Sequence, residues 1–248
     1  MNARIAAGTA LVILALLASA PSPAMAEPTS CAVTQELALK GQKLPMFQAA
    51  LAAHRPINIL AAGGASTAGA AARGAAFTFP ARLELHLRDK LPDASITVIN
   101  RGVSGTSAMA RLNLVTAELG QIHPTLVIWA PGSTEAGLSE DVGPFETSLR
   151  EGVARIHAAG ADLILIDLQF APSIARVVAL DRYNDTIAGV AEAEDVPLLR
   201  RSEWMRYWND TGVLDLDNTP AQDIVPAIHR LFDCLAIGLA DTIVTSLP

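Results

Sequence analysis

Five short runs of branched apolar residues, each separated from the next by a stretch with helical spacing, constrain this chain more than any other feature. The runs are Ile57–Ala62, Ile96–Asn100, Leu126–Ala130, Leu163–Leu168 and Val196–Leu199. Runs this short, rich in Val, Ile and Leu, read as strands covered on both faces. Between them Pro80–Leu91, Ala108–Leu119, Pro144–Ala159 and Val178–Ala193 have helical spacing. The third of these puts Phe145, Leu149, Val153 and Ile156 on one face, with Gly160 where a C-terminal cap belongs. A further helical stretch lies around Leu44 to Ala53, and an apolar helix is expected to open at His229 and run through Leu239 to Ile243. Strand alternating with helix predicts parallel βαβ units with right-handed crossovers. The expected architecture is α/β, a three-layer α/β/α sandwich built on a doubly wound parallel sheet of about five strands. In such sheets chemistry lies at the carboxyl ends of the strands, so the residues that follow each run carry the information.

The N-terminus reads as an export leader. Arg4 gives a positive start, Ala10 to Ala20 is apolar apart from Ser19, and Ala24-Met25-Ala26 places small residues at the cleavage positions. The apolar stretch is shorter than the ~20 residues that span a bilayer. Cys31 lies just beyond, but Pro28-Thr29-Ser30 lacks the small and apolar residues that lipid attachment needs. The expected organisation is a cleaved signal at 1–26, an N-terminal extension at 27–52 and one domain at 53–248, in a periplasmic or secreted protein. Without Arg4 the chain carries 17 basic against 25 acidic residues. A chain with that balance and no basic cluster is not built for nucleic acid or for an anionic membrane.

The two cysteines, Cys31 and Cys234, stand at opposite ends of the exported chain. An oxidising compartment permits a disulfide that clips the N-terminal segment to the last helix; two unpaired buried thiols are the alternative. With no CxxC, no HExxH and no clustered His and Cys, no metal site is expected, and no cofactor.

The first run is followed by Gly63-Gly64-Ala65-Ser66-Thr67-Ala68-Gly69, the second by Asn100-Arg101-Gly102-Val103-Ser104-Gly105-Thr106, and the third by Pro131-Gly132-Ser133-Thr134-Glu135. Asp167-Leu168-Gln169 leads to Ala171-Pro172, and Ala227-Ile228-His229-Arg230 lies near the C-terminus. These blocks, in this order, resemble the SGNH, or GDSL, hydrolase family, closest to its exported bacterial members. The resemblance covers nearly the whole exported chain and includes Arg200-Arg201 to Trp208. It implies an esterase or carbohydrate deacetylase mechanism. A serine after strand one attacks, a C-terminal histidine takes its proton, an aspartate three residues earlier orients the histidine, and backbone N–H groups with a block-three asparagine hold the oxyanion.

Carried over residue by residue, the nucleophile position falls on Ala65, with Ser66 next to it. The block-two glycine is Gly105, Thr134 stands where asparagine belongs, and the histidine is His229. Three before it is Pro226, and Asp223 lies six before. Alanine cannot attack, so the expected function is an SGNH-like protein of ester-hydrolase ancestry with impaired hydrolysis, taking an acylated glycan or a small ester as ligand. An active esterase using Ser66 with His229, Gly105 and Thr134 is the alternative, as is a scaffold that binds a ligand or a partner protein through the old cleft. Ser66 is expected to cap the helix that follows strand one rather than attack. Glu135 and Asp167, near strand ends, could pair as acid and base. The plainer reading has Glu135 solvated and Asp167 capping or bonding within the sheet.

Overall fold

The computed structural model describes residues 30–39 and 42–247; the leader read at 1–26 lies outside them. Helix α1 (Pro45–Ala52) precedes strand β1 (Ile57–Gly63). The short α2 (Ala65–Ala68) and two 3-10 turns lead to α3 (Phe79–Lys90). Then come β2 (Ile96–Gly102), α4 (Ala108–Ile122), β3 (Leu126–Ala130), α5 (Ser133–Leu138), α6 (Val142–Ala158) and β4 (Asp162–Ile166). The chain ends with α7 (Pro172–Ala175), α8 (Leu180–Ala193), β5 (Leu198–Leu199), α9 (Arg201–Asp210) and α10 (Ile224–Thr245).

The five strands pair in parallel in the order β2-β1-β3-β4-β5. This is the expected doubly wound sheet, with its switch point where β1 is flanked by β2 and β3. Side-chain alternation divides the core in two. Ile57, Ile59, Leu126, Ile128, Ile164 and Ile166 pack with α1, α3, α9 and α10 on one face. Leu60, Ala62, Val127, Trp129, Leu163 and Leu165 pack with α4, α6 and α8 on the other. The sandwich is therefore α/β/α. Among the described residues no helix is long and apolar enough to cross a membrane.

Three expectations are corrected. The last apolar run pairs only through Leu198 and Leu199, because Pro197 interrupts it without an N–H for the ladder. The fourth strand begins at Asp162 and ends at Ile166, which leaves Asp167 and Leu168 in the loop beyond it. The last helix starts at Ile224 and not at His229. Pro226 in its first turn is compatible with this, since a first-turn residue donates to no helical carbonyl.

The segment before β1 is part of the core. Leu44, Phe47 and Ala50 are fully buried, and the Phe47 N–H donates to Asp162 Oδ2 at 2.8 Å. Further upstream, Trp204 Nε1 donates to the Leu37 carbonyl and Trp208 Nε1 to the Cys31 carbonyl. Cys31 is bonded to Cys234 of α10, with 5.0 Å between the Cα atoms. The N-terminal segment is thus strapped over α9 and α10.

Candidate active site

β1 ends at Gly63, and the chain turns through Gly64 into α2, whose first residue is Ala65. Two features hold this turn against β2. Gly102 lies so close to the backbone of Thr67 and Ala68 that a Cβ there would collide with main-chain atoms. Asn100 Nδ2 donates to the Thr67 carbonyl at 2.9 Å, while its Oδ1 accepts from the Gly102 N–H. Ala65, where the resemblance puts the nucleophile, therefore sits at the carboxyl edge beside the switch point, with an exposed methyl group.

Ser66 does not cap α2, correcting the expectation from sequence. Gly64 occupies the N-cap with no side-chain bond. Ser66 is already inside the helix, where its hydroxyl reaches sideways and accepts from Arg201 Nη1 at 3.1 Å.

Gly105 adopts φ +71° with open space around the position of a Cβ. Thr134, in α5, donates its hydroxyl to the Thr106 carbonyl at 2.9 Å. It ties down the loop that carries Gly105, and so commits its one proton to the backbone. Gly132 before it has φ +91°, and a Cβ would press on the Phe145 ring; both facts require glycine. Glu135 is 4% exposed, not solvated as expected, and accepts from the Ala108 N–H at the start of α4. Its other oxygen has no hydrogen-bond partner among the described residues.

His229 projects from the second turn of α10. Its imidazole stacks on Phe77, with ring centroids 3.9 Å apart and planes 7° from parallel. Its Nε2 lies 2.7 Å from the Ala72 carbonyl. A carbonyl only accepts, so that nitrogen carries the proton and cannot also receive one. Pro226 offers no carboxylate, and Asp223 is exposed at the start of α10 with no side-chain cap bond. The structure thus brings Ala65 and Ser66 to one cleft, Gly105 to an adjoining loop and Thr134 to the start of α5, and joins His229 to neither Ala65 nor Ser66 by any hydrogen bond.

The group that sequence reasoning missed is Arg201. Its side chain is buried, with the residue 4% exposed. Among the described residues Ser66 is its one hydrogen-bonded partner, and its Nε has none. Desolvation lowers its pKa to about 10, opposed only by the nearby Asp167 charge. Asp167 accepts from the Ser202 N–H at 2.8 Å and from the Ser202 hydroxyl at 2.6 Å. It caps the start of α9, in line with the plainer of the two expectations. Burial raises its pKa to about 6, against the lowering influence of Ser202 and Arg201.

Beside Ala65 and Ser66 opens a cavity of about 490 Å3, walled by Phe170, Met205, Leu214, Ile228, Leu231 and Phe232. At its edge, Asp217 accepts from the Ser173 N–H and pairs with Arg176, and Asp215 accepts from the N–H groups of Asp217 and Asn218.

Comparison with known proteins decides the lineage. The pattern of the non-GDSL lipase-like family matches residues 30–247. The chain belongs to that family. The chain shares its fold with several proteins of known structure. One is TesA, with a TM-score of 0.57 at 20% identity over 73% of this chain and 97% of that one. Another is AlinE4, an SGNH-hydrolase family esterase, with a TM-score of 0.52 at 20% identity over 78% and 98%. A two-domain esterase, CEX, active on acetylated mannans and co-crystallised with mannopentaose, reaches a TM-score of 0.66 at 15% identity. The match covers 85% of this chain and 56% of that one. Among curated proteins no sequence matches. These likenesses show that this lipase-like family member has the fold of those proteins.

Proposed function

We propose that this protein is an exported member of the non-GDSL lipase-like family that binds an acylated ligand in its cleft without hydrolysing it. The observation that carries the reading is the Ser66–Arg201 hydrogen bond. Attack on an acyl carbon needs a serine oxygen lone pair aimed at substrate and a base to take the proton. Here the Ser66 oxygen accepts from a cation, and His229, the base that ancestry would supply, donates its Nε2 proton to the Ala72 carbonyl. Ala65, in the attacking position, has neither lone pair nor proton.

Ester-hydrolase ancestry and the apolar cavity support an acyl group as the recognised feature. The activity of CEX on acetylated mannans suggests an acylated glycan as the ligand class. The leader at 1–26 supports a periplasmic or secreted location.

Hydrolysis of p-nitrophenyl acetate by the purified exported chain, with Ser66→Ala and Ala65→Ser alongside, tests this reading. All three are expected at the buffer rate; Ala65→Ser gains a hydroxyl, but the His229 Nε2 stays committed to the Ala72 carbonyl. Wild-type hydrolysis that disappears in Ser66→Ala would establish the active-esterase alternative instead.

A further inference from the structure

The polar groups at the cleft are arranged for a charge that is absent from the protein itself. A buried guanidinium is costly unless paired. Arg201, 4% exposed, has the neutral Ser66 hydroxyl as its hydrogen-bonded partner and an Nε with none among the described residues. The Asp167 carboxylate acts on it through space, and its two oxygens accept from the N–H and hydroxyl of Ser202. Ser66 links this cation to the cavity, because it also lines the wall. A hydroxyl has one proton to give. By accepting from Arg201, Ser66 is left to donate, and no acceptor for it occurs among the described residues. Met205, one helical turn after Arg201 on α9, lines the same cavity, as do Phe170, Ile228, Leu231 and Phe232. A second guanidinium, that of exposed Arg206, lies 4.2 Å from the centre of the Phe170 ring.

We propose that the cleft is a receptor for a free fatty carboxylate, its tail in the apolar cavity and its head on the Ser66 hydroxyl, backed by the Arg201 guanidinium. A neutral ester would use the walls but not the buried charge, whereas a carboxylate uses both. The rim carboxylates Asp215 and Asp217 are engaged by neighbouring N–H groups and, for Asp217, by Arg176 as well. The proposal goes beyond the acylated-ligand reading and rests on it only for a non-hydrolysing cleft in which Ser66 stays a donor.

Calorimetric titration of the exported chain with octanoate and with octan-1-ol tests it. The two probes share a chain length and differ in head-group charge. Octanoate is expected to bind at least about tenfold more tightly, the effect of one charge-assisted hydrogen bond. Arg201→Gln should erase that preference, and Ala227→Trp, which fills the cavity from α10, should weaken both probes. Equal binding of the two by the wild type, no octanoate binding, or a preference that survives Arg201→Gln would overturn the proposal. The wild-type comparison needs no variant, so it decides even where Arg201→Gln fails to fold. Ester hydrolysis by the wild type would overturn the non-hydrolysing reading. Loss of the octanoate preference alone would leave that reading intact and remove only the carboxylate site.

Discussion

Ser66 Oγ accepts a hydrogen bond from Arg201 Nη1 at 3.1 Å, across 135 residues of sequence, and this contact joins the turn after β1 to the start of α9. The arrangement costs stability, because the guanidinium is out of water with a neutral hydrogen-bond partner and only the through-space charge of Asp167 to offset it. Arg201→Met, similar in length and free of charge, is expected to leave stability unchanged or to raise it by up to about 2 kcal/mol. Ser66→Ala, which leaves the guanidinium without its acceptor, is expected to cost about 1–3 kcal/mol. Urea unfolding of both variants checks this. A loss in Arg201→Met larger than that in Ser66→Ala would show that the arginine is held for the fold and not for a ligand.

Asp167 gives stability a pH dependence of known sign. Its folded-state pKa is raised to about 6 by burial. The folded protein therefore holds this proton more tightly than the unfolded chain does. The resulting stabilisation is complete below the ordinary carboxylate pKa near 4 and is lost as pH rises through 6. Asp167→Asn, which cannot ionise, should lack that component. The difference in urea midpoint, variant minus wild type, is expected to increase between pH 4 and pH 7. A difference that stays flat across this range would mean that Asp167 is ionised throughout.

Gly132→Ala tests whether the third block is set by backbone geometry. At φ +91° an added Cβ is strained, and it also meets the Phe145 ring. The expected cost is about 1–3 kcal/mol for the backbone alone, with a further loss if Phe145 must move. Gly105→Ala shares the positive φ but meets no atoms within 4 Å, so it should cost less. Thermal unfolding of the pair separates strain from collision.

The Cys31–Cys234 bond closes a loop of 203 residues. Cys31→Ser with Cys234→Ser is expected to lower stability by about 2–5 kcal/mol, because the unfolded chain regains the freedom that the crosslink removes. Guanidinium unfolding with and without reductant should show the same loss in the wild type and none in the double variant.

Much of the scaffold was legible in the amino-acid sequence, because strand and helix follow from local periodicity. Runs such as Leu126–Ala130 are buried on both faces and could be nothing else in a chain of this length. The glycines after β1, β2 and β3 announced turns at the carboxyl edge, and family blocks placed Ala65 there. Boundaries were less legible where local signals compete. Pro226 falls where a proline is tolerated inside the start of a helix, so sequence placed that start too late. Glu135 looked solvated because burial is not a local property; only the α4 N-terminus, brought over it by the fold, makes the interior habitable for one of its oxygens.

Sequence by itself determined the α/β class and the order of strands and helices along the chain, and put an alanine in the first of the blocks that follow the strands. It also supplied the two cysteines that could meet. Tertiary structure alone decided which polar groups face one another. Ser66 looked like a cap, and Arg201 like one of two adjacent arginines. Their pairing depends on the parallel strands β1 and β5 ending at the same edge of the sheet, and no pattern within either segment encodes that. His229 likewise kept its place in the chain, yet its chemistry was set by Ala72 and Phe77, which reach it only across the packed interface between the turns after α2 and α10. Hydrogen bonds form between groups within about 3 Å of one another. Only folding brings residues 66 and 201, or 72 and 229, within that range.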